Sequence, residues 1–208
     1  MPVKFAHLSQ QLSPTLAVLI ALSLLTLTVG LERLFVIVQA RRALATRRRV
    51  LLAHLGDGAA QAALQANRQL PQHVTEGLFG AILQSPAAGP QAIRRHQAQL
   101  VRQARRRLWI LGSVGSIAPF VGLLGTVLGV MEAFAAMGSE GTGGFAVVSM
   151  GLSEALVTTA AGIFVAVEAV VLFNGLQVLT GLYGAELKEA AEEVAEEVAE
   201  GREMAHGA

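Results

Sequence analysis

Two carboxylates stand where carboxylates are expensive. Glu154 and Glu168 fall inside a long apolar run, Phe145–Leu182. An acid in such a run is a candidate for function, because its ionised form needs a cavity, water or a cation. Hydroxyls extend the chemistry. Thr158 follows Glu154 by four residues and shares its helix face, and Thr159 points about 100° round from Thr158. In the preceding apolar run Thr126 sits among glycines. Carboxyl groups, with hydroxyls that both donate and accept, are what a proton path requires. Each group also has a plainer reading. A threonine can bond back to its own helix, and Glu154, near the end of its run, can reach the membrane edge. Ser23, Thr26 and Thr28 in the first run are weak signals for the same reason.

Other chemistries find little support. The chain has no cysteine, which excludes a disulfide framework, a thiolate zinc site and a cysteine nucleophile. His7, His54, His73, His96 and His206 all lie outside the apolar runs and show no ligand spacing. No paired-aspartate, Ser-His or HExxH arrangement occurs in the runs. The expectation is a protein that is not an enzyme, with neither metal nor cofactor.

These residues need helices to position them. Of 208 residues 53% are hydrophobic and 15% are charged, where a soluble domain carries about 25% charged. Three runs reach the ~20 residues that a membrane-spanning helix needs. They are 14–38, opening on Pro14 and closing near Glu32-Arg33, then 108–137 and 145–182. Pro14 suits a first helical turn. The last two runs exceed a bilayer core, so they tilt or continue as helices into water. The fold class expected is an all-α integral membrane helical bundle, with three transmembrane helices, two of them long and extending into the cytoplasm.

Charge placement orients the bundle. The segment 39–107 holds twelve arginines, with clusters at Arg41-Arg42, Arg47-Arg48-Arg49, Arg94-Arg95 and Arg105-Arg106-Arg107, against two acids, Asp57 and Glu76. Positive charge beside membrane ends marks the cytoplasmic side. Nucleic-acid binding is the alternative, but arginines at both membrane edges favour topology and lipid headgroups. The N-terminus is then outside, with an amphipathic lead-in at 1–13 and no cleavable signal pattern. The turn 138–144 is also outside, and the acidic helix 183–208 is inside. Helices are expected in the loop at 43–66, 72–84 and 90–107, the last running into the second span, with Pro71 and Ser85–Pro90 as breakers. The C-terminal acids suggest a solvated helix, or a dock for the basic loop of a neighbouring copy.

Small residues say how the spans pack. Gly122, Gly125 and Gly129 fall on one helix face, and Gly151, Ala155, Thr158 and Gly162 make a second stripe. Such stripes let backbones approach closely. Pro119 frees a carbonyl that a neighbour or water must satisfy.

The second-span stretch Pro119-Phe120-Val121-Gly122-Leu123-Leu124-Gly125-Thr126-Val127-Leu128-Gly129 resembles that of the ExbB/TolQ/MotA proton-channel family. So does Gly151-Leu152-Ser153-Glu154-Ala155-Leu156 through Thr159, Gly162 and Asn174, and Glu32-Arg33 fits as well. The short outer turn and the length resemble ExbB or TolQ, with the lean toward ExbB, and not MotA, which has a further span. The resemblance implies a bacterial inner-membrane pentamer around single-span partners of the ExbD/TolR type. A membrane aspartate of the partner exchanges protons, and the motion passes to TonB or a TolA-like protein. It implies that Thr126 and Thr159 line the proton route and that Glu154 is the family's third-span glutamate. One departure stands out: Val167-Glu168-Ala169 replaces the usual Ala-Ile-Pro-Ala, so an ionisable group takes the place of a kink and adds Glu168 to the pathway candidates. A rival reading is a non-conducting scaffold that holds a partner.

Overall fold

The computed structural model describes residues 13–56, 60–70, 75–84, 89–140 and 144–206, so all of the expected lead-in except Ser13 lies outside the described residues. Six helices follow in order: α1 Pro14–Gly56, α2 Ala60–Gln69, α3 Glu76–Gln84, α4 Gly89–Ala104, α5 Leu108–Glu140 and α6 Gly144–His206. The fold is all-α, and α1, α5 and α6 are each long and apolar enough to cross a membrane.

Helix α1 begins on a cap. The Ser13 hydroxyl accepts from the Leu16 amide at 3.4 Å and its carbonyl from the Ala17 amide at 3.1 Å, with Pro14 in the first turn as its missing donor allows. The helix does not stop where its apolar run does. No glycine or proline lies between Leu31 and Leu55, so α1 carries on through both arginine clusters to Gly56. The helix expected at 43–66 is therefore two pieces, the end of α1 and α2.

Helix α4 ends at Ala104 and does not run into the next span. Arg107 adopts a left-handed backbone, φ 69°, which ends a right-handed helix. Its carbonyl then accepts from the Ile110 amide at 3.0 Å to start α5. On the other side of the expected turn at 138–144, α5 stays helical to Glu140 and α6 starts at Gly144; 141–143 fall outside the described residues.

Contacts divide the chain into two units, 1–31 with 107–175, and 32–106 with 176–208. In the first, the start of α1, α5 and the first half of α6 pack around Leu19, Val114, Ala118, Val165, Ala166 and Ala169. Large apolar side chains such as Leu24, Phe120, Leu123, Phe164 and Val171 face outward, as suits a body surrounded by hydrocarbon and not water.

The second unit has its own core. Leu44, Leu51 and Leu55 of α1, Phe79, Ile82 and Leu83 of α3, Leu100 of α4, and Tyr183, Leu187, Val194 and Val198 of α6 share one cluster. Val194 and Val198 are thus buried, and the acidic tail is not a helix solvated all round. Three of its acids pair with arginines of α1. Arg41 donates to both oxygens of Glu186, the Nε bond at 2.9 Å, and Arg48 bridges Glu189 and Glu193. Hydrogen bonds to these carboxylates raise the pKa of Arg41 and of Arg48. Arg47 is the opposite case. It is buried, it donates to the main-chain and side-chain oxygens of Asn67, and burial lowers its pKa.

Candidate functional site

The site lies in the first unit and begins with the glycines. A helix face without side chains lets another helix touch its backbone, and α5 and α6 use both stripes at once. A Cβ at Gly122 would stand 3.1 Å from the Thr158 carbonyl and 3.2 Å from the Gly162 Cα, and one at Gly162 would stand 2.8 Å from the Ala118 carbonyl. Further along, Gly125 meets Thr158 and Thr15, Gly129 meets Ala155 at 3.1 Å, and Gly151 meets Ala133 at 2.7 Å. Positions rise on one helix as they fall on the other, in an antiparallel seam.

The threonines sit on this seam with their hydroxyls engaged. Thr159 donates across it to the Gly122 carbonyl at 3.0 Å. Thr126, half-buried and one turn beyond Gly122, donates to its own helix at Leu123, 2.6 Å away. Thr158 is buried, donates to the Glu154 carbonyl at 3.2 Å, and packs its methyl on Gly125. Thr159 and Thr126 therefore bond successive carbonyls of α5, Gly122 and Leu123, while Thr158 serves the packing of the seam.

At one end of the seam is a cavity of ≈ 320 Å³. Its lining includes Ser13, Thr15, Glu132, Glu154 and Thr158. Glu132 was not among the residues singled out in the sequence, although it lies within the second apolar run. Its signal was spacing: Gly125, Gly129 and Glu132 follow at four and three residues, so the acid continues the glycine face.

Glu168 is elsewhere in the unit. The Ser23 hydroxyl of α1 donates to its Oε2 at 2.9 Å, while its Oε1 is buried with no partner. No hydrogen bond joins it to Thr126, Thr159 or Glu154 among the described residues. Nor do any three histidine, cysteine or carboxylate side chains there stand together as metal ligands. The arrangement can position hydroxyls and acids along a tightly packed helix pair and hold a separate carboxyl against α1.

Residues 60–189 match the family model described as the MotA/TolQ/ExbB proton channel family. The chain is similar to "Biopolymer transport protein ExbB" of Neisseria gonorrhoeae, 38% identical over 125 residues, covering 58% of this chain and 56% of that protein. It is similar to the protein of the same description in Salmonella typhimurium, 39% identical over 102 residues, 49% and 42% of the two chains. It is also similar to "Tol-Pal system protein TolQ" of Pseudomonas aeruginosa, 36% identical over 104 residues, 46% and 45%. The chain thus matches about half the length of these curated relatives.

Proposed function

The chain belongs to the MotA/TolQ/ExbB proton channel family, and from that premise we propose that it is the ExbB-like subunit of a proton-driven motor in the bacterial inner membrane. In this reading five copies enclose single-span partners of the ExbD/TolR type. Protons pass between a partner's membrane aspartate and the hydroxyls of Thr126 and Thr159. Glu154, with Glu132 beside it in the same cavity lining, receives protons from the outer face. The N-terminus is periplasmic and the C-terminus cytoplasmic, as the arginine-rich segment 39–107 argues. The motion is passed to TonB to energise outer-membrane transport. A membrane potential of ~100 mV supplies about 2.3 kcal/mol per charge, enough to bias a conformational step.

The observation that carries the reading is that the hydroxyls of Thr126 and Thr159 meet at successive α5 carbonyls, Leu123 and Gly122, each within a stretch that resembles the family pattern. The test is the double variant Thr126→Ala with Thr159→Ala in a deletion strain. A motor loses growth under iron limitation while protein level and co-purification of the partner persist. A scaffold keeps growth.

A TolQ-like role in envelope integrity is the second reading, favoured by the relative from Pseudomonas aeruginosa at comparable coverage. A deletion strain that grows without iron supplements yet leaks in detergent decides for it.

A further inference from the structure

Between Pro14 and Leu31 of α1, between Leu108 and Met131 of α5, and between Ala155 and Ala185 of α6, one residue is ionisable in its side chain other than by a hydroxyl: Glu168. It lies on the face of α6 that meets α1. Ser23 gives its Oε2 a hydrogen bond at 2.9 Å. Four residues further along α6, Leu172 comes within 2.9 Å of a Cβ at Gly30. Ser23, Thr26 and Gly30 follow at three and four residues, so Thr26 occupies the same face, between the two contacts.

Thr26 is itself unusual. It is 0% exposed, and its Oγ1 has no hydrogen-bond partner. Other hydroxyls in the first unit discharge theirs on a backbone carbonyl, as Thr28 does on Leu24 and Thr158 does on Glu154. The second orphaned oxygen of the same unit is Oε1 of Glu168. Buried polar atoms without partners are rare and call for an explanation. Here a hydroxyl and a carboxyl share one helix interface and leave one oxygen each unspent.

We propose that Ser23, Thr26 and Glu168 form a proton-loading site between α1 and α6, distinct from the threonines of the α5–α6 seam. A carboxyl group that binds a proton gains a donor, and a threonine oxygen can accept from it. Ser23 donates to the other oxygen in either state. Releasing the proton leaves a charge that no cation faces. The nearest charged residues along α1 are Glu32 and Arg33, nine and ten positions beyond Ser23, and α5 carries none before Glu132. Where this stretch of α6 meets α5, Gly112 faces Phe173 and Gly115 faces Val170 and Ala169, all uncharged. The site therefore exchanges a single proton within this chain, and it does not require a partner's acid.

The test is reaction with dicyclohexylcarbodiimide, which attacks a protonated carboxyl in an apolar setting. The full chain is purified alone in lipid nanodiscs, and adducts are mapped by mass spectrometry. The expected result is an adduct at Glu168 whose rate falls as pH rises and is the same in sodium and choline chloride. Ser23→Ala and Thr26→Val each change that rate at least about threefold at fixed pH, while Thr28→Ala leaves it unaltered. Absence of the Glu168 adduct, a rate independent of pH, or a rate unmoved by both variants overturns the proposal. Protection by sodium but not choline overturns it in favour of a cation site. Because no partner protein is present, the outcome is separate from that of the Thr126 and Thr159 variants.

Discussion

Thr159 donates its hydroxyl hydrogen bond to the carbonyl of Gly122 on the facing helix, 3.0 Å away. It reaches because Gly122 and Gly162 have no side chains to hold the backbones apart. Thr159 and the packing glycines are therefore one structure, and a change to either is felt by both.

The first expectation concerns the glycines. Gly162→Ala puts a Cβ against backbone, 2.8 Å from the Ala118 carbonyl and 2.9 Å from the Gly122 Cα. Neither can yield as a side chain would, so a loss of about 1–3 kcal/mol is expected. Gly175→Ala meets nothing within 4 Å and gains helix propensity, up to about 1 kcal/mol. Thermal unfolding of both variants in detergent checks the contrast.

Thr159→Val removes the cross-helix bond while keeping the shape. The cost is about 1 kcal/mol, and Thr159→Ser restores it. If ion flux tracks stability across these two variants, the hydroxyl is only a staple. If Thr159→Val abolishes flux in reconstituted motor at an unfolding temperature only slightly lowered, it belongs to the path.

Arg47 and Arg48 are adjacent in sequence and opposite in consequence. Arg47 is buried on Asn67, and Arg47→Ala leaves both Asn67 oxygens without it, costing about 3 kcal/mol. Arg48 pairs with Glu189 and Glu193 at the surface, where such pairs contribute at most about 1 kcal/mol. Amide exchange across α2 and α3 should rise sharply in Arg47→Ala and hardly at all in Arg48→Ala.

Alkaline stability isolates a single phenol. Tyr183, just past the third apolar run, is buried, and burial raises its pKa from 10.0 to about 12. The raised value means stability present below pH 10 and lost as pH climbs toward 12. Unfolding temperatures of wild type and Tyr183→Phe should diverge over that window, the wild type falling more steeply.

How much of this was legible depended on what each signal encodes. The three apolar helices and the glycine faces were readable because hydrocarbon and backbone contact constrain composition at fixed spacing. The end of α1 was not. The apolar run stops near residue 38 because the environment changes, while the helix continues because nothing breaks it. Arg107 was illegible for the converse reason: a left-handed turn there has no glycine or asparagine to announce it. Val194 and Val198 looked isolated among alanines and acids, yet they complete a core supplied by α1, α3 and α4. Local pattern cannot show partners distant in sequence. Glu168 was visible as an oddity, but its tie to Ser23 depends on how α1 lies along α6.

The antiparallel seam also makes the molecule easy to interrogate. Native thiols are absent, so any cysteine pair introduced across facing positions is a clean reporter. Gly129→Cys with Ala155→Cys places two sulfurs on carbons about 3.1 Å apart, closer than the ~3.5–4.5 Å a disulfide spans between its Cβ atoms, so the helices part by a few tenths of an ångström to form it. Oxidising that pair bolts α5 to α6. If the proposed motor works while bolted, its two long helices move as one rigid strut; if it stalls, they must slide.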